Sequence, residues 1–287
     1  MQRRTLNSAI TVSGKALFTG ESTAVTIAPG QDGLRMTHRG STFPMTIDRL
    51  SATPVHPAFV TMPPRHTSIA DRPDTPAAHT VEHLLGALAG LGITDAEITL
   101  VGPEVPIGDG SATLFVDPIT EVGLAVLEGR PEFIEPRESV EVRSGDAFVR
   151  AEPLGEGDGI RYTYEMAFDP PNPLGSAVAT WSGDAETFLP DIAPARTFSF
   201  RSEVELMAGA GLFTGFTPRD LLVLDDQTGG PIDNALRFDD EPARHKLLDL
   251  IGDLALVGGV IRAKITAHKS GHALNHEMAR ALVAACR

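Results

Sequence analysis

Three stretches of the chain carry residue types that could hold a metal ion and move protons. In Arg237 to Leu254, His245, Asp249 and Asp253 recur every four residues and so share one stripe of a helix. A histidine and a carboxylate one turn apart can grip a cation from one face. For an isolated His-x-x-x-Asp, a solvated polar face is the commoner outcome. Two further stretches change that balance. Thr80-Val-Glu-His-Leu-Leu-Gly-Ala-Leu88 brings Glu82 and His83, and Lys269-Ser-Gly-His-Ala-Leu-Asn275 brings His272. Together His83, His245 and Asp249 make two imidazoles and one carboxylate with a position left for water, which is the ligand set of a catalytic zinc site. Such an ion lowers the pKa of its water to about 7 and polarises a carbonyl.

The remaining groups each have a chemical and a plain reading. Glu82 neighbours a ligand and could act as general base, or it is simply a favourable charge at a helix N-terminus. His272 alone reads as an ordinary loop histidine. With Asp253 as its partner it would stay cationic near neutral pH and stabilise an oxyanion or protonate a leaving amine. The Thr197 hydroxyl could bond the same oxyanion, or be a strand threonine. His268 and His276 flank His272 and compete for its role. His38, His56, His66 and His79 lack carboxylates at metal spacing and are expected on the solvated surface.

These residues need elements to position them. Asp240, Glu241 and Pro242 suit the first turn of a helix, and Leu247, Leu248, Ile251, Leu254 and Ala255 give it an apolar face. Thr80 is expected to cap a second helix that runs to about Ala89 and stops at Gly90 and Gly92. His272 is expected in a loop between a strand, 260–267, and a helix, 276–286, capped by Asn275. Alternating Thr, Val and Ile residues predict strands over much of 5–47, 95–101, 138–151 and 161–181. The Pro-rich stretch 51–78 should be mostly irregular, with a short strand near Phe59-Val60. Each half thus reads as strands followed by a histidine-bearing helix. That predicts an α+β protein of two similar domains, 1–130 and 131–287, each a sheet layered with helices. The two histidine helices would face each other across the domain interface, where sites often form.

Composition narrows the function classes. Across 287 residues, 24 Lys and Arg against 38 Asp and Glu give a net charge of −14, which argues against general nucleic-acid binding but not against one small anionic substrate. The single cysteine, Cys286, permits no disulfide within the chain. Neither a signal-peptide pattern nor a bilayer-spanning apolar run is present, so a cytoplasmic location is expected. Dinucleotide, Walker, Gly-x-Ser-x-Gly and His-Glu-x-x-His patterns are missing from the sequence.

Five motifs, in order along nearly the whole chain, carry a resemblance: Thr80-Val-Glu-His-Leu-Leu85, Pro103-Glu-Val-Pro-Ile-Gly-Asp-Gly-Ser-Ala112, Ala195-Arg-Thr-Phe198, Arg244-His-Lys-Leu-Leu-Asp-Leu-Ile-Gly-Asp253 and Ser270-Gly-His-Ala-Leu-Asn275. The chain resembles the UDP-3-O-acyl-N-acetylglucosamine deacetylases, zinc amidases of lipid A biosynthesis. The resemblance implies zinc on His83, His245 and Asp249, Glu82 as general base, and His272 as cationic general acid partnered by Asp253. It implies that Thr197 binds the oxyanion and that Phe198 and Lys246 contact the sugar or phosphate of a UDP-linked, acylated glucosamine. The same ligands accept several divalent metals, so iron(II) remains an alternative to zinc. An insert at about 199–225 stands where the family forms an apolar passage for the acyl chain. Two departures are visible: Phe18-Thr-Gly20 stands where the family commonly has His-Thr-Gly, and 211–220 differs from the usual insert. A different acyl chain, a different N-acetylated nucleotide sugar, or a non-catalytic metal-bearing binding protein are the rival expectations. A monomer without nucleic-acid partners, only transiently near a membrane surface, is expected.

Overall fold

Two five-stranded sheets with one strand order frame the chain. The computed structural model describes residues 1–60 and 65–286. The first sheet runs Ile10–Lys15, Ser22–Pro29, Ala96–Val101, Leu34–His38, Ser41–Pro44 from edge to edge. The second runs Val140–Ser144, Ala147–Pro153, Ala263–His268, Arg161–Ala167, Ser176–Trp181. In both, the last strand in sequence inserts at the centre, antiparallel to the second strand and parallel to the third. Every other pairing in the two sheets is antiparallel. The likeness of the halves, faint in sequence, is therefore complete in topology, and the α+β expectation holds.

Six helices lie among the described residues: α1 Glu82–Gly90, α2 Thr113–Val122, α3 Ala185–Asp191, α4 Arg201–Gly209, α5 Glu241–Ala255 and α6 His272–Cys286. In each sheet's sequence, one helix (α1 or α5) precedes the central strand and another (α2 or α6) follows it. Helices α1 and α5 pack against each other, and α5 also packs on the strands 161–167 and 176–181. Their approach is close because glycine lies at the contact. A Cβ on Gly252 would collide with the Glu82 carbonyl oxygen, and one on Gly86 would meet Leu248. Leu84, Leu85, Leu88, Leu247, Leu248, Leu250 and Leu254 are all fully buried, in one continuous core with Ile27, Ile98, Tyr164 and Ile265 from the sheets. This burial is why α1 shows little polar face: it is inside the molecule, so most of its length has no solvent side.

Several local expectations need correction. Thr80 does not cap α1. It adopts φ +58°, Val81 takes the position before the helix, and the Thr80 hydroxyl bonds the Glu104 carboxylate at 3.0 Å. Asn275 does not cap a later helix either. Helix α6 starts four residues sooner than expected, at His272, and Asn275 lies in its first turn with its amide on Asp253. His38, His66 and His79 are buried, not solvated, because their segments are covered by the core and by the insert. Phe59-Val60 lies in a 3-10 turn, and the pair of short strands Ser68–Ile69 and Ala78–His79 orders part of the Pro-rich stretch. Residues 61–64 of that stretch lie outside the described residues. The insert folds as strand, helix, strand: Phe198–Phe200 pairs parallel with Leu222–Leu224, and α4 lies between them in sequence.

Candidate metal centre and active site

The meeting of α1 and α5 builds the centre. His83 comes from the first turn of α1, and His245 and Asp249 from successive turns of α5. The Asp249 Oδ1 lies 3.3 Å from His245 Nε2 and 3.6 Å from His83 Nε2, and the two imidazole rings stand 4.9 Å apart and nearly perpendicular. All three side chains are buried, and among the described residues they form the only cluster of at least three such groups able to hold an ion. A tetrahedral ion with bonds of about 2.0–2.1 Å needs ligand atoms about 3.3 Å apart, so the donor set fits a divalent metal. Its chemistry fits as well. His245 Nδ1 lies 3.1 Å from the Ala195 carbonyl, which can accept only an N–H; the proton is thus assigned to Nδ1, and Nε2 keeps its lone pair for the cluster. Burial holds the His245 pKa below the ordinary imidazole value, against the opposing pull of Asp249. Asp249 stays ionised: burial works against it, but His245 and Lys246 hold its carboxyl well below the usual range.

Glu82 and His272 flank this cluster with opposite tendencies. Burial raises the Glu82 carboxyl to about 7, with the charge of His272 restraining the rise. One Glu82 oxygen accepts the Thr67 N–H at 3.0 Å. For His272, burial opposes the charge, but the hydrogen bond and charge of Asp253 prevail and raise it to about 9. That bond, Nδ1 to Asp253 Oδ2, is 2.8 Å. Asp253 itself is fully buried and held ionised below the normal carboxyl range, its desolvation outweighed by His272 and His276. The Asn275 amide also donates to Oδ2 at 2.9 Å, and the Thr67 hydroxyl donates to Oδ1. His276 Nε2 lies 3.3 Å from Oδ1 and 2.8 Å from the Thr67 hydroxyl, so of the flanking histidines it lies behind the site, while His268 pairs with Glu165.

A cleft of about 630 Å³ opens over these groups, lined by Glu82, His83, Asp249, His272, Thr197, Phe198 and Lys246 among others. His245 and Asp253 lie behind its wall. Thr197 is held from below: its N–H donates to the Gly110 carbonyl at 2.8 Å, and a Cβ on Gly110, which has φ +88°, would strike the Thr197 methyl. The loop 103–112 is therefore a seat for Thr197. Lys246 donates to Asp249 Oδ2 at 2.9 Å, so its ammonium sits beside the candidate metal cluster as well as on the cleft. A smaller apolar pocket, lined by Phe198, Val204, Phe213, Phe216 and Leu222, adjoins within the insert. Phe18 packs edge-on to Phe59 at 4.9 Å and stacks on Phe213 at 5.7 Å, joining the first half to the insert. Its turn is pinned by Glu104, which accepts the Phe18 and Thr19 N–H groups and whose carboxyl burial raises to about 7.

Three residues at the site were missed or misassigned by sequence reasoning: Thr67 was not singled out, Asn275 was taken as a helix cap, and Glu241 of the buried Arg196–Glu241 pair was taken only as a helix-end charge. Thr67 sits in a stretch with no periodicity and only the fold brings it in. Glu241 carried a signal, since it continues the four-residue stripe of His245, Asp249 and Asp253.

Two matched α+β domains that close a two-histidine, one-carboxylate centre between a neutralisable glutamate and a cationic histidine define a metal-dependent hydrolase of amides or esters. Comparison with known proteins gives the family. The sequence profile of the UDP-3-O-acyl N-acetylglycosamine deacetylases (LpxC) matches residues 3–284, and the chain belongs to that family. Similar proteins include UDP-3-O-acyl-N-acetylglucosamine deacetylases of Nostoc sp., 37% identical over 99% of both chains, and of Synechocystis sp., 36% identical over 96% of both. The enzyme of the same name from Haemophilus influenzae is 34% identical over 99% of this chain and 90% of its own.

Proposed function

We propose that this chain removes the acetyl group from a UDP-linked, 3-O-acylated N-acetylglucosamine, a step of lipid A biosynthesis, giving the free amine and acetate. The observation that carries this reading is the gathering of the His83–His245–Asp249 cluster, Glu82 and the Asp253–His272 pair around one cleft. A divalent ion, zinc in this reading, held by His83, His245 and Asp249 would supply Lewis acidity and an acidified water. Glu82, with its carboxyl near 7, takes a proton from the attacking water. Thr197 offers its hydroxyl to the developing oxyanion, and cationic His272, its Nδ1 committed to Asp253, has Nε2 left to stabilise that charge and then protonate the departing amine. As the C–N bond breaks, the acyl carbon keeps the water's oxygen and leaves as acetate.

Phe198 and Lys246 line the cleft where the sugar and phosphates would lie, and the apolar pocket of the insert suits an acyl chain. No helix among the described residues is long and apolar enough to cross a membrane, which is compatible with work on a nucleotide-linked substrate in the cytoplasm. The proposed chemistry calls on no residue of a second copy, and a monomer is part of this reading. All strands of one sheet precede residue 130 and all of the other follow it, which supports two domains, 1–130 and 131–287.

The test is acetate release from UDP-3-O-(3-hydroxyacyl)-N-acetylglucosamine by purified protein, before and after chelation and with zinc or iron(II) restored. Activity that vanishes and returns with metal is expected. A metal-loaded protein that leaves this substrate intact but deacetylates non-acylated UDP-N-acetylglucosamine would move the reading to another nucleotide sugar.

A further inference from the structure

The peptide unit joining Ala195 to Arg196 is gripped at both ends. Its carbonyl faces His245 Nδ1 at 3.1 Å, and its N–H donates to Glu241 Oε1 at 3.1 Å. The same carboxylate takes the Arg196 side chain in a fork, Nε to Oε1 at 2.8 Å and one terminal nitrogen to Oε2 at 3.0 Å. Glu241 Oε2 also accepts the Arg237 N–H at 2.7 Å. The guanidinium has no idle side: its other contacts are Asn234 Oδ1 at 3.0 Å and the Ala235 carbonyl at 2.6 Å. Glu241 is fully buried and Arg196 is 5% exposed. Glu241 stands one helical turn before His245, so the carboxylate that fixes the peptide and the imidazole that the peptide fixes rise from one face of α5.

We propose that Glu241 and Arg196 are positioning residues for the metal centre, acting through the 195–196 peptide. The carboxylate holds the peptide plane, and the peptide carbonyl sets the tautomer and ring angle of His245. The next residue on the same strand of chain is Thr197, so the grip also fixes the height of its hydroxyl over the cleft. A buried ion pair is weak evidence of stabilisation in itself, since an apolar pair of similar size is often as good. What sets this pair apart is that the carboxylate also accepts the Arg196 and Arg237 backbone N–H groups, which no apolar side chain could do. Partners that orient a metal-bound histidine typically change metal affinity by about 10–100-fold when removed.

This inference rests on the reading of His245 as a ligand, and the experiment separates the two. Zinc affinity is measured by chelator competition, with far-UV circular dichroism of the apo-protein recorded at the same temperature. Wild type should bind one ion. Glu241→Gln, folded, should bind it about 10–100-fold more weakly, whereas Arg196→Lys, which leaves the carboxylate charged and on the peptide N–H, should lose less. If Glu241→Gln does not fold, Arg196→Met with Glu241→Leu removes both charges together and must show the same weakening. A folded Glu241 variant with wild-type affinity overturns the proposal. A wild type that binds no ion overturns the site reading instead.

Discussion

Glu82 and His272 face one cleft with their protonation set in opposite senses, and that pairing has a pH signature. In the proposed mechanism Glu82 works ionised and His272 works protonated. Activity should therefore be present below about 9 and lost above it, as His272 releases its proton. The acid limb should lie at or below about 7, because a bound cation lowers the Glu82 carboxyl further. Asp253→Asn removes the charge that raises His272, while burial stays, so the alkaline limb should move to lower pH. A wild-type kcat/KM profile that stays level through about pH 10 would refute the role of His272. Glu82→Gln should keep the metal and cut kcat by about 10²–10⁴-fold; metal content and single-turnover rates on the same preparation check this. The residue types at the site were legible in the sequence, because His-x-x-x-Asp on a helix and Glu-His at a helix start are local patterns. His272 was also legible as a partner of Asp253, but the other partners of Asp253 were not. Thr67 and Asn275 reach it across 186 and 22 residues of sequence, and only folding sets those separations to zero.

At the scale of elements, the contact of α1 with α5 is where a small change should matter most. Gly252→Ala puts a methyl group into the Glu82 carbonyl. The helices must part, and the cost should reach or exceed the roughly 1–3 kcal/mol typical of an overpacked core. Metal affinity should fall with it, since Glu82 and His83 begin the helix that is displaced. Thermal melts of the apo-protein and chelator competition on the folded fraction measure the two effects; an unchanged melt would mean that the helices tolerate the extra volume. The start of α5 could be read beforehand from Asp240, Glu241 and Pro242, because acidic residues and proline favour a first turn for local reasons. The starts of α1 and α6 were misjudged for the opposite cause. Thr80 and Asn275 are good capping types, but Glu104 and Asp253 offered their side chains distant buried partners, and a tertiary bond displaced a local one.

For the whole molecule, one core runs from Leu6 to Leu282 through both sheets and the α1–α5 contact. The halves should therefore unfold together. The only tryptophan, Trp181, lies in the second half, so its fluorescence reports on that half while far-UV circular dichroism reports on all. The two urea transitions should coincide; a separate earlier step in one signal would show that the halves are energetically independent. The order of strands in each sheet could not have been read from the chain, since in the second sheet the central strand pairs Lys264 with Arg161, 103 residues earlier. What that shared order permits is a difference in side chains within one repeated frame. Were the two central helices still alike, carboxylate would confront carboxylate and each would repeat the same half of the chemistry. The two helices instead carry different groups: α1 bears Glu82 and His83 in its first turn, and α5 bears a column of Glu241, His245, Asp249 and Asp253. A lopsided centre of this kind can form between two like halves of one chain, where two identical helices related by symmetry would have to present the same groups twice.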